Sequence, residues 1–121
     1  MNIYELQDRE PLLPALLTLW EVSVRATHHF LSDAEIRQIR TYVPQALRGV
    51  AHLTVAENGS HTPVAFMGTE NSRLEMLFLS PAERGRGLGR QLMQRAIQCY
   101  GVREVTVNEQ NPQAVGFYQH L

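Results

Sequence analysis

The residues of this chain best suited to chemistry lie in Leu77-Phe-Leu-Ser-Pro-Ala-Glu-Arg-Gly-Arg-Gly-Leu-Gly89. The apolar start reads as a strand, Pro81 as a turn, and the stretch after Gly87 as the opening of an amphipathic helix. Glycines at 85, 87 and 89 strip side chains from the turn, so its backbone N–H groups can converge on one point. The helix start adds unpaired N–H groups and the positive end of a dipole. Such a concavity suits a phosphate or pyrophosphate. Spacing narrows the choice. A dinucleotide fingerprint needs a third glycine where the chain has Arg90. A P-loop needs a lysine after its glycines, and none follows here. A kinase glycine-rich loop fails in the same way. What stands is Arg84-x-x-Gly87-x-Gly89, with Arg84, Arg86 and Arg90 available to add charge.

The cradle needs elements to hold it. Ile3 to Leu6 reads as a short first strand, and Asp8 as the cap of a helix running to about Val24. Leu13, Leu16, Leu17, Trp20 and Val24 share one face of that helix. Ser32-Asp-Ala-Glu35 is a capping box opening a second helix that buries Ile36, Ile39 and Val43, with Pro44 interrupting or restarting it. Strands follow at 51–57, 63–69 and 73–79, joined by turns at Asn58-Gly59 and Asn71-Ser72. In the third strand Leu74, Met76 and Phe78 are expected on one face and Glu75 and Leu77 on the other. A helix from Gly87 to Cys99 carries Leu88, Leu92, Met93, Ala96 and Ile97 inward and stops at Gly101. Cys99 reads as a small buried thiol. Arg103 to Asn108 is a further strand, and Asn111-Pro112 caps a last helix ending near His120. The expectation is an α/β sandwich, a mixed and largely antiparallel sheet flanked by helices.

The 121 residues predict one domain. A net charge of −1, with 44% hydrophobic and 19% charged residues, gives no electrostatic case for nucleic acid as a partner. No stretch approaches membrane-spanning length and the start has no apolar signal core, so no membrane partner is expected and a cytoplasmic location is the default. With Cys99 alone, no intrachain disulfide is possible, and no His, Asp, Glu or Cys set has the spacing of a metal site.

The glycine loop, the order of elements and Asn108-Glu-Gln-Asn-Pro-Gln-Ala-Val-Gly-Phe-Tyr118 resemble the GNAT N-acetyltransferase superfamily, in particular its YjaB-like bacterial members. The resemblance implies transfer of acetyl from acetyl-coenzyme A to a primary amine by direct attack in a ternary complex, without a metal. A non-catalytic coenzyme A-binding or sensing module of the same fold is the alternative. It places the pyrophosphate on Arg84, Gly85, Arg86, Gly87, Leu88, Gly89 and Arg90. The backbone of Leu77, Phe78 and Leu79 would pair with the pantetheine arm and lend one N–H to the thioester carbonyl. Asn111, first of all a helix cap, would approach the cofactor. Tyr118 would be the general acid, since a phenol of pKa about 10 is protonated at neutral pH and can donate to a departing thiolate. Packing of helix to sheet is the plainer role for that ring. Glu75 would be the base, directly or through water, or simply a solvated strand charge; His28 or His29 is a further choice of base. His28, His29 and Phe30 sit in the loop that lines the acceptor pocket, and the acceptor is a small-molecule or protein amine. In relatives, further strands follow the Phe-Tyr pair. The expectation is therefore a sheet lacking its C-terminal strands, by truncation or because another chain supplies them, and a monomer or a homodimer through the open sheet edge.

Overall fold

The computed structural model describes residues 1–105. Strand β1 (Asn2–Glu5) leads through a short 3-10 turn at Glu10–Leu12 into α1 (Leu13–Thr27), α2 (Asp33–Arg40) and α3 (Val43–Gly49). Strands β2 (His52–Glu57), β3 (Pro63–Glu70) and β4 (Arg73–Leu79) follow, then a 3-10 turn at Pro81–Glu83, α4 (Leu88–Tyr100) and β5 (Glu104–Val105). The five strands lie in the order β1-β2-β3-β4-β5. Pairing is antiparallel as far as β4 and parallel between β4 and β5. This is the expected α/β architecture.

Each sheet face buries its own apolar layer. Leu16, Trp20 and Val24 of α1, Ile36 of α2 and Leu47 of α3 pack with Leu53, Val55 and Phe66 of the sheet. On the other face Leu88, Leu92, Met93 and Ala96 of α4 meet Ala65, Met67 and Leu74. Strands β2 and β3 are covered on both sides, which explains their nearly continuous apolar runs. No helix among the described residues is long and apolar enough to cross a membrane.

Several local expectations change. Asp8 caps nothing: the chain enters α1 through the 3-10 turn, whose N-cap is Arg9, and Pro11 and Pro14 take the early turn positions where a missing N–H costs least. The capping box at Ser32 and Glu35 forms in both directions. The helix it opens ends at Arg40, and Pro44 near the start of α3 makes a second, separate helix. Ile39 consequently turns outward at 38% exposure, while Val43 is buried from α3. Helix α4 has a narrower apolar stripe than its sequence predicts. Ile97 is 51% exposed, and Cys99 is exposed rather than buried. Of the strand expected at 103–108, Glu104–Val105 is described; the last helix lies outside the described residues.

Strand β4 departs from simple alternation. Met76 pairs with Gly68 and Leu74 with Thr69, so Glu75 has no partner across the pair and forms a β-bulge. The extra residue resets the face of everything before it. Leu74 now packs with Leu77 and Leu79 in the α4 layer, whereas Met76 and Phe78 pack toward α1. Gly68 is fitted to this bulge, because a Cβ there would come within 2.6 Å of Met76 Cγ.

Candidate active site

The turn between β4 and α4 has the properties of an anion cradle. Gly85 (φ 76°) and Gly87 (φ 84°) are both left-handed, a conformation that L side chains resist. Ser80 N–H donates to Val64 O (2.8 Å) and Glu83 N–H to Ser80 O (2.9 Å), tying the start of the turn to the sheet. Beyond Arg84 this bonding stops. The backbone N–H groups of Gly85, Arg86, Gly87, Leu88, Gly89 and Arg90 donate to no acceptor among the described residues, and the ladder of α4 begins with Gln91 N–H on Gly87 O at 3.0 Å. Gly87 is the N-cap and supplies no side-chain acceptor. A Cβ on Gly85 or Gly87 would meet nothing within 4 Å beyond its chain neighbours, so among the described residues the mouth of the turn is open. Six free amides at the positive end of a 13-residue helix fit the phosphate groups of coenzyme A.

The three arginines divide. Arg86 and Arg90 are exposed and make no hydrogen bond or ion pair among the described residues, so their charges are available to the cradle. Arg84 turns away from it. Its Nη2 lies 3.3 Å from Ser23 O and 3.5 Å from Ser23 Oγ, and burial lowers its pKa below the ordinary guanidinium value. Arg84 is thus a strut from the cradle to the last turns of α1.

Leu77, Phe78 and Leu79 pair with β3 along one edge. On the other edge, β5 pairs with Arg73 and Leu74 and with no later residue of β4 among the described residues. Among the described residues the backbone from Glu75 to Leu79 therefore has no partner on that edge, the geometry an extended amide-bearing arm can pair with. Glu75 sits exposed on the bulge where that edge begins.

On the α1 side, His28 caps the helix through its N–H to Val24 O at 2.7 Å. Its Nδ1 is 3.0 Å from Thr27 Oγ1, and its ring lies 5.6 Å from that of Phe30. Burial, aided by the Arg84 charge, holds the imidazole pKa below its usual value. His28 is half-buried, while His29 and Phe30 are exposed. Arg84 is the residue that brings this group and the glycine loop together. Asn111 and Tyr118 lie outside the described residues.

Sequence reasoning missed two features. The bulge had a faint signal in Gly68, a glycine within an apolar strand opposite a long β4. The anchor at the far end of α4 had none. There Tyr100 O–H donates to Glu5 Oε1 (2.7 Å), His52 Nδ1 lies 3.3 Å from Glu5 Oε2, and the His52 and Tyr100 rings stack at 4.5 Å. These bonds hold the Glu5 carboxyl below the usual carboxylate range, the Tyr100 bond contributing most. The cluster joins β1, β2 and α4, so it fixes the helix whose other end forms the cradle.

Comparison with known proteins agrees with this geometry. Residues 18–121 match the family model for the acetyltransferase (GNAT) domain. The chain is 39% identical over 106 residues to a peptidyl-lysine N-acetyltransferase, YjaB, of Salmonella typhimurium, covering 88% of this chain and 72% of the relative. It is 41% identical over 111 residues to YjaB of Escherichia coli, covering 88% and 71%. The solution structure of apo YjaB from Escherichia coli superposes with a TM-score of 0.82 at 37% identity, over 98% of this chain and 80% of that one. The fold is shared with an N-acetyltransferase from Thermoplasma acidophilum solved with coenzyme A, at a TM-score of 0.78 and 18% identity over 99% and 88% of the two chains. A glycine turn with unpaired amides beside a strand edge unpaired among the described residues, on a chain this similar, leaves one assignment: the protein belongs to the GNAT family of acetyltransferases, enzymes that draw acetyl from acetyl-coenzyme A.

Proposed function

We propose that this enzyme acetylates lysine side chains of polypeptides, by direct attack of the amine on the thioester in a ternary complex. The observation that carries the acceptor class is the identity of 39% and 41% to two peptidyl-lysine N-acetyltransferases over most of this chain. When bound, acetyl-coenzyme A supplies an activated acetyl group and a thiolate leaving group. The residues of the chain do the rest. The amides from Gly85 to Arg90, with Arg86 and Arg90, hold the phosphates; the free edge at Leu77, Phe78 and Leu79 orients the arm and offers an N–H to the carbonyl oxygen. Glu75, at the bulge, takes the proton of the incoming ammonium, directly or through water. His28, His29 and Phe30 wall the acceptor side. Tyr118 donates to the leaving sulfur, and Asn111 contacts the cofactor. A cytoplasmic location belongs to the same reading, supported by the single cysteine.

The test is acetyl transfer to a lysine peptide and to its arginine counterpart. Wild-type protein is expected to modify the first and leave the second untouched. Tyr118→Phe should lower kcat by about 10²-fold, the scale of a lost general acid, with coenzyme A affinity retained. Equal turnover by Tyr118→Phe removes the acid role, and an unmodified lysine peptide removes the acceptor class.

A further inference from the structure

These 121 residues hold 11 arginines and no lysine. Geometry accounts for several of them. Arg9 donates to the carbonyls of Leu47, Arg48, Val50 and Ala51 at the end of α3. Arg25 joins Glu21 to Asp33. Arg48 meets both carboxylate oxygens of Glu10, and Arg73 sends two nitrogens to Glu104. These tasks use a planar fork rather than a single ammonium.

That reason does not reach Arg37, Arg86, Arg90 and Arg103. Arg86, Arg90 and Arg103 are exposed, and their side chains make no hydrogen bond or ion pair among the described residues. Arg37 makes one surface pair with Asp33, which an ammonium would serve as well. The chemistry of the reaction supplies a reason for arginine there. A lysine amine of pKa about 10.4 is neutral in roughly one molecule per thousand near pH 7. Set among cationic neighbours such as those at the cradle, its pKa falls, and each unit of fall raises the neutral fraction about tenfold. A neutral amine attacks a thioester carbonyl: the N–C bond forms, the C–S bond breaks, and its electron pair leaves on sulfur, which takes the proton shed by nitrogen. The resulting amide has lost its charge. A guanidinium stays protonated and is no nucleophile at this pH.

We propose that the arginine-only cationic surface makes these residues refractory to the protein's own reaction: acetyl is passed to lysines of other chains, and the charge at the cradle survives continuous exposure to acetyl-coenzyme A. The inference rests on the lysine-acceptor reading above. Wild-type protein, the double variant Arg86→Lys/Arg90→Lys, and Arg103→Lys at the far end of α4 are incubated with acetyl-coenzyme A. A lysine peptide is assayed in parallel. Intact mass and coenzyme A affinity are then followed together, and circular dichroism before incubation verifies that each variant is folded.

The wild type should gain no acetyl group beyond its α-amino terminus and keep its affinity. Both lysine variants should gain acetyl groups, and the double variant should lose about threefold or more in affinity as they accumulate. Acetyl groups on side chains of the wild type would overturn the proposal. So would lysine variants that stay unmodified while the peptide is acetylated. An unmodified peptide removes the acceptor reading, and this inference with it.

Discussion

The two ends of α4 are built by opposite rules. At the C-terminal end every device satisfies the backbone. Gly101 turns left-handed (φ 61°) and its N–H closes onto Ala96 O and Ile97 O, Val102 N–H adds a further bond to Ala96 O, and Tyr100 is bonded to Glu5 and stacked on His52. At the N-terminal end the same left-handed glycine conformation opens the chain, leaving six amides without acceptors among the described residues. Glycine therefore performs contrary tasks within one helix. It ends the hydrogen-bond ladder neatly at one terminus and exposes donors at the other. The closed end supplies rigidity, and the open end supplies unpaired donors.

Matched substitutions break this contrast most directly. Beyond their chain neighbours, no described residue has an atom within 4 Å of where a Cβ on Gly87 or Gly101 would stand, so alanine at either meets backbone strain without a clash among them. That strain is about 1–2 kcal/mol in each case. Gly87→Ala should also weaken coenzyme A binding by about tenfold or more, because its methyl enters the open mouth and the amides shift. Gly101→Ala should lower thermal stability to a similar degree while affinity changes less than about twofold. Calorimetry beside thermal melts separates the two outcomes, and equal affinity losses would mean that the ends do not differ.

A smaller effect belongs to the anchor. Tyr100→Phe removes one partly buried hydrogen bond to a carboxylate and should cost about 1 kcal/mol in denaturant unfolding. Coenzyme A affinity should be retained. The smallest effect concerns acid. Since the Glu5 pKa is lowered on folding, its stabilisation is full above the ordinary carboxylate value of 4.5 and fades as pH falls through the lower folded value. The loss should be shallower in Tyr100→Phe, where the largest cause of the shift is gone. Parallel acid titration curves for the two proteins would refute that assignment.

Sequence revealed what was local. The glycine turn is a short run between a strand and a helix, the capping box spans four residues, and both stand where their spacing put them. Alternation placed the cores of β2 and β3. It failed in β4, because a bulge is set by how two strands register and not by either strand alone. Cys99 and Ile97 failed for a related reason: which side of α4 is covered depends on how the helix lies on the sheet. Arg84 was legible as a positive charge but not as a strut, since Ser23 is 61 residues away in sequence. Asp8 lost its role to prolines, which shape a helix start through backbone geometry.

The bulge makes position 75 unusual in what it tolerates. A change of side chain there tests proton transfer and leaves the strand's length intact. Removing the residue altogether would join the Leu74–Thr69 and Met76–Gly68 pairs into an unbroken ladder, with Leu74 still facing α4 and Met76 still facing α1. The core layers therefore depend on neither the identity nor the presence of the residue at 75, and what the bulge adds is an exposed carboxylate on the strand that leads to the glycine turn.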